Sequence, residues 1–152
     1  MSADLKKLKS LRAETEVSFS LIKKALEECD NDVECAKKKL HEWGAKKAAS
    51  KADRETDQGG LFSYVHHNRK TASIVELLCE TDFVSANDEF KKFGQELAMQ
   101  VAFTNPKDIK ELLKQEYIRD TSKTIDEYYK EITLKFGENI KISRLQRFAL
   151  AE

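Results

Sequence analysis

Along the first fifty residues apolar positions recur every three or four places, the spacing of one helix face. In "ADLKKLKSLRAET" the stripe is Leu5, Leu8 and Leu11; in "SFSLIKKALEEC" it is Leu21, Ile22, Ala25 and Leu26. In "DVECAKKKLHEWGAKKAA" it is Val33, Ala36, Leu40 and Trp43. The breaks "TEVS" and "CDND" separate three helices, with Ser18 placed to cap the second and Asn31 or Asp32 the third. Residues 1–50 are therefore expected to form a three-helix bundle, too small to be robust alone. The polar stretch "SKADRETDQGG" follows, and 51–60 is expected to be a linker.

The period then changes. "GLFSYVHH" and "TASIVELLCE", separated by "NRK", predict a β-hairpin. The second strand is apolar on both faces through Ile74, Val75, Leu77 and Leu78, which places it centrally. "NDEFKKFGQELAMQVAF" predicts an amphipathic helix with Phe90, Phe93, Leu97 and Val101 inward, capped by Asn87. Pro106 ends that helix or opens the next, and residues 109–136 are expected to be helical. "GENIKISRLQRFAL" predicts a last strand. Ile140 and Ile142 alternate, Leu145 falls out of phase, and a bulge near Ser143–Arg144 restores the register. The fold expected is α+β: an N-terminal helical bundle, then, over 61–152, a three-stranded antiparallel sheet packed with helices.

Composition narrows the function. Lys+Arg and Asp+Glu both number 27, so there is no basic excess for bulk capture of nucleic acid. Charged residues are 36% and hydrophobic ones 40%, which allows a modest core. No apolar run approaches the ~18–20 residues of a membrane span, and no apolar leader opens the chain; a cytoplasmic protein is expected. Three cysteines without a C-x-x-C pair are expected to be reduced, with Cys29 and Cys35 as small helix residues and Cys79 in a strand. His66 and His67, adjacent on a strand, are expected to point to opposite faces and so not to share a metal. There is no P-loop, no nucleophile elbow and no dinucleotide fingerprint, so neither an enzyme nor a cofactor or metal site is expected. A basic stretch over 37–54 reads as a solvated helix face, or as an RNA-contacting patch.

One stretch is out of place. In "ETDFVSANDEF", Phe83 and Val84 sit in a polar junction between strand and helix. Phe83 is either a core residue at a helix start or an aromatic presented to a partner. The run "VELLCETDFVSANDEF", Val75 to Phe90, is similar to the strand-and-tip motif "V-E-x-x-C-E-T-D-F-V … N-x-x-F" of the bacterial-type translation elongation factor Ts family. "LRAETEVSFSLIKKAL" (Leu11 to Leu26), "DVECAKKKLHEWGAKKAASKADR" and "GENIKISRLQRF" resemble that family's other conserved runs, in order, over nearly the whole chain. Glu16 and Ser18 depart from its usual glycines, Phe19 and Ser20 from its methionine or similar, and Leu21 and Ile22 from its Asp-Cys.

The resemblance implies nucleotide exchange on elongation factor Tu, the GTPase that delivers aminoacyl-tRNA. It implies that the first bundle is ubiquitin-associated-like and docks on the GTPase through Phe19, with Lys9 as a peripheral charge. It implies that Thr81, Asp82, Phe83 and Val84 form the working tip. Phe83 would wedge between helices of the GTPase and Asp82 would disturb its Mg²⁺ network. Longer members carry two related core halves; this chain has room for one, so a homodimer through the sheet-bearing core is expected. No direct nucleic-acid contact and no membrane contact are expected.

Overall fold

The computed structural model describes residues 2–152. It divides into two compact units: the chain up to Ala52 together with Tyr129–Glu138, and Asp53–Tyr128 together with Asn139–Glu152. In the first unit α1 (Leu5–Thr15), α2 (Phe19–Glu28) and α3 (Val33–Lys51) form a bundle consistent with the ubiquitin-associated-like arrangement. Asp4 caps α1 through the amides of Lys6 and Lys7, and Asp32 caps α3 through that of Cys35. Ser18 precedes α2 without a side-chain cap hydrogen bond. Leu8, Leu11, Val17, Ile22, Ala25, Leu26, Ala36 and Leu40 make the core, joined by Leu134 from the later helix α7 (Ile125–Phe136). Gly44 lets α3 approach α7 closely: a Cβ there would stand 2.7 Å from the carbonyl oxygen of Lys130. Leu5 departs from its expected stripe and is exposed. A spacing of three residues turns only about 300° per step, so a Leu5–Leu8–Leu11 row drifts off the buried face.

The cysteine expectation is corrected. Cys29 and Cys35 form a disulfide, with Cα atoms 5.8 Å apart. Asp30 and Asn31 both adopt left-handed backbone conformations, φ 49° and 63°, and so fold the end of α2 back onto the start of α3. Cys79 is buried in the second unit, outside any disulfide.

The second unit is built on β1 (Gln58–Val65), β2 (Thr71–Cys79) and β5 (Lys141–Ala149), antiparallel with β2 central. The bulge falls where the phase shift required it. Leu77 pairs with Ile142 and Glu76 with Arg144, which leaves Ser143 as the extra residue. Ser143 uses that position to donate to Glu76 Oε1 at 2.6 Å, with Arg144 3.2 Å from Oε2. The Ser143 hydroxyl first, then the Arg144 guanidinium, holds the Glu76 carboxyl below its ordinary pKa.

The long helix α5 (Asp88–Thr104) covers one face of the sheet, with Phe90, Phe93, Leu97 and Val101 fully buried. Asn87 caps it at the amide of Glu89, and Asn105, at φ 48°, ends it before Pro106. The stretch 109–136, expected to be helical, is instead α6 (Ile109–Lys114), a small hairpin of β3 (Glu116–Tyr117) and β4 (Asp120–Thr124), then α7. Polar groups buried on α5 hold the hairpin. Gln100 donates to the Glu116 carbonyl at 3.0 Å and accepts from the Ile118 amide at 3.1 Å. Glu96 accepts from the Tyr117 hydroxyl at 2.8 Å and pairs with Arg119 at 2.8 Å. Burial, then that bond, raises the Tyr117 pKa above its ordinary value. Thr124 and Glu127 form a capping box that opens α7.

The histidine expectation is also corrected. β1 ends at Val65, so His66 and His67 lie in the turn, and their rings stack with centroids 4.2 Å apart. The Tyr64 hydroxyl is 2.9 Å from His66 Nδ1.

Gly94 sets how closely α5 lies on the sheet: a Cβ there would stand 2.3 Å from the Phe62 ring. Gly94→Ala is expected to lower stability by about 1–2 kcal/mol, because overpacking outweighs the ~1 kcal/mol of helix propensity gained. Urea unfolding is the check, with a lower midpoint at an unchanged slope; a variant as stable as the parent would refute the tight packing.

Candidate functional site

The strand-to-helix junction is a rigid, capped turn. β2 ends at Cys79, and Thr81 caps a single helical turn, α4 (Asp82–Ser85), its Oγ1 accepting the Val84 amide at 3.4 Å. The amides of Ser85 and Ala86 bond back to the carbonyls of Thr81 and Asp82 at 3.2 and 3.0 Å. The Ser85 hydroxyl donates to the Asp82 carbonyl at 3.0 Å. Asn87 donates its amide to the Val84 carbonyl and then caps α5. The backbone of "TDFVSAN" is thus closed by its own hydrogen bonds.

Its side chains divide sharply. Val84 is buried and anchors the turn, while Asp82 is exposed and Phe83 is 86% exposed. Among the described residues Phe83 is the most exposed of the large apolar side chains. Burying a phenylalanine stabilises a fold by roughly 1.5–3 kcal/mol, and this turn forgoes that. Of the two readings of Phe83, the core-residue one is therefore excluded for the chain on its own.

A half-buried carboxylate pins the base of the turn. Glu80 Oε2 accepts the Asn139 amide at 2.9 Å, and its Oε1 lies 3.5 Å from Arg54. The Asn139 side chain donates to the Arg54 carbonyl at 2.9 Å. Glu80 from "ETDF", Asn139 from "GENI" and Arg54 from the stretch before β1 therefore meet behind the tip. Their sequence separation of 26 to 85 residues hid this contact. Both motifs were visible; their pairing was not.

The expected residues of the bundle belong to the first unit. Phe19, the first residue of α2, is 53% exposed, and the Arg12 guanidinium sits 5.4 Å from its ring centroid. Lys9 is exposed on α1. Among the described residues no group of three or more His, Cys, Asp or Glu side chains is placed to hold a metal, and no helix is long and apolar enough to cross a membrane.

The second unit carries an exposed aromatic on a capped turn, and the first is a small helical bundle. The family model described as elongation factor TS matches residues 80–152, which begin at the pinning carboxylate and take in the tip, α5 and β5. Proteins named elongation factor Ts from Clostridium botulinum (strain ATCC 19397 / Type A) and Clostridium novyi (strain NT) are each 39% identical to it over 145 residues. These alignments cover 95% of this chain and 47% of each relative. The chain belongs to the elongation factor Ts family and spans about half the length of the curated relatives it matches.

If Glu80 fixes the tip, Glu80→Ala should leave the sheet folded yet raise amide hydrogen exchange across 81–87 by about tenfold. That corresponds to the ~1.4 kcal/mol expected for one lost charge-assisted contact. Unchanged protection there, read by mass spectrometry, would show that the turn holds itself.

Proposed function

We propose that this chain promotes nucleotide exchange on elongation factor Tu in the translating cytoplasm, through the Thr81-Asp82-Phe83 tip. The observation that carries the reading is Phe83, 86% exposed on a backbone held by caps on both sides. With the backbone already fixed, docking orders little beyond the ring itself, so more of the contact energy goes into separating what it enters. In this reading Phe83 wedges between two helices of the GTPase, and Asp82 competes for the polar and water network around Mg²⁺. Thr81 sets the turn, and Val84 holds it from below. Mg²⁺ bridges phosphate oxygens, so disturbing its shell weakens GDP. By linkage, a protein that prefers the nucleotide-free GTPase lowers nucleotide affinity by the same factor. No covalent bond changes, so the role is one of binding rather than enzymatic catalysis.

The bundle of 1–50 docks on the same GTPase through Phe19, with Lys9 at the rim; the stretch between α3 and β1, shorter than the expected linker of 51–60 because β1 already begins at Gln58, connects it to the sheet-bearing core. The alternative, phosphate binding by the basic 37–54 stretch, predicts affinity that falls steeply with salt. An aromatic wedge does not.

Phe83→Ala should keep the parent's melting temperature, because the ring is exposed, and cut stimulated release of labelled GDP tenfold or more, about 1.4 kcal/mol of differential binding. Phe19→Ala should weaken association with a smaller effect on the rate at saturation. A Phe83→Ala protein that exchanges normally would end the wedge reading.

The second copy proposed for the sheet-bearing core has a physical basis in the face that α5 leaves uncovered. Leu61, Val65, Ile74 and Phe148 are exposed there. The register sets Val65, Ala72 and Phe148 in one cross-strand row and Ser63, Ile74 and Gln146 in the next. β1 is an edge strand of that sheet. One apolar patch serves both partners of a symmetric pair, so a homodimer covers this face without a second sequence. Sedimentation equilibrium at micromolar concentration should show mass above 17.5 kDa, rising with concentration; a constant 17.5 kDa species would rule the dimer out.

A further inference from the structure

The reversal between α2 and α3 holds chemistry that nucleotide exchange does not use. Cys29 closes α2, and Cys35 lies in the first turn of α3, bonded to it across a separation of six residues. The two sulfur-bearing residues differ in access: Cys29 is 8% exposed and Cys35 is half-buried. The same reversal is tied to the start of α1. Asn31 Oδ1 accepts the Asp4 amide at 2.7 Å, its Nδ2 donates to the Ser2 carbonyl at 3.0 Å, and Lys7 Nζ donates to the Asn31 carbonyl at 2.6 Å. A bond that fixes this turn therefore braces all three helices of the bundle.

We propose that Cys29 and Cys35 are a reversible redox pair whose closure braces the N-terminal bundle and which a dithiol reductant opens. A thiolate of the dithiol attacks the sulfur of Cys35, the more exposed of the two residues, and the disulfide breaks with its electron pair passing to Cys29, which takes up a proton. The reductant's second thiolate then attacks its own sulfur in the mixed disulfide, and Cys35 leaves as thiolate and is protonated. The positive pole of the nineteen-residue α3 stabilises negative charge on that departing sulfur. The sum is one protein disulfide plus one dithiol giving two protein thiols and one reductant disulfide, a two-electron exchange. Oxidation restricts the unfolded chain by closing a short loop, and the bundle gains stability accordingly. Because Phe19 and Lys9 lie on this bundle, the oxidised form is also the steadier docking surface, a consequence that rests on the function proposed above.

The test needs no partner, so it stands or falls apart from that function. The full chain is equilibrated in buffers of graded reduced-to-oxidised dithiothreitol, alkylated without denaturant, and weighed by mass spectrometry with peptide mapping. The expected result is a reversible passage from no alkylation to two groups, on Cys29 and Cys35, while buried Cys79 stays unmodified. The reduced protein should melt about 5 °C lower than the oxidised one. The C29S/C35S double variant should melt at the reduced value in both buffers. Two alkylated thiols in the most oxidising buffer, a bond that native-state dithiol never opens, or equal melting temperatures in the two states would each overturn the proposal.

Discussion

The carboxylate of Glu80 is the contact on which the presented surface depends. It stands at the point where β2 must stop being a strand. Behind it, the Asn139 amide and Arg54 hold that point to the segments that precede β1 and β5. Asn139 is buried, so the bonds around it form where water competes poorly. Ahead of it, Thr81 caps a helical turn of only four residues. Such a turn has no stability of its own, since a helix this short gains too few hydrogen bonds for the residues it fixes. It persists because both ends are anchored and because Val84 points inward. Once those constraints are met, helical geometry directs Phe83, one residue earlier, about 100° away from Val84 and into solvent. The exposure of the aromatic is thus a consequence of burying its neighbour.

The rest of the second unit is legible in the same terms, and unevenly so in the sequence. The two-faced apolar character of "IVELLC" located the central strand, and the phase slip between Ile142 and Leu145 located the bulge, because both depend on the strict period of two. The break in the 109–136 run did not show. Its hairpin is held by Glu96 and Gln100, polar residues on an otherwise apolar helix face whose partners lie 15 to 21 residues away. Hairpin formation there is a tertiary decision rather than a local one. The pairing of Cys29 with Cys35 was hidden for a related reason. It requires Asp30 and Asn31 in left-handed conformations, which side-chain patterning does not signal. Leu5 shows the opposite failure, a pattern too short to reveal its own drift. At the site, the motif stood out in sequence while the residues that position it, Glu80 excepted, lay in distant segments.

The departures from the family at the α1–α2 turn show how a local rule is broken and then compensated. Glu16 occupies a position where the family usually has glycine, and its backbone keeps the left-handed conformation, φ 56°, that glycine would adopt freely. For a residue with a Cβ that conformation costs about 1–2 kcal/mol. Two features within the first unit offset it. The Arg12 guanidinium donates to the carbonyls of Glu16 and Val17, both at 2.6 Å, which satisfies the end of α1 and fixes the reversal. The Glu16 carboxylate pairs with Lys135 of α7, an interaction that glycine cannot make. The same Arg12 lies over the ring of Phe19, so the group that steadies the strained turn also steadies the exposed aromatic beyond it. The turn thus combines a left-handed residue that bears a side chain with an ion pair that glycine could not make. The surface around Phe19 is consequently more charged and more rigid than a glycine turn would make it.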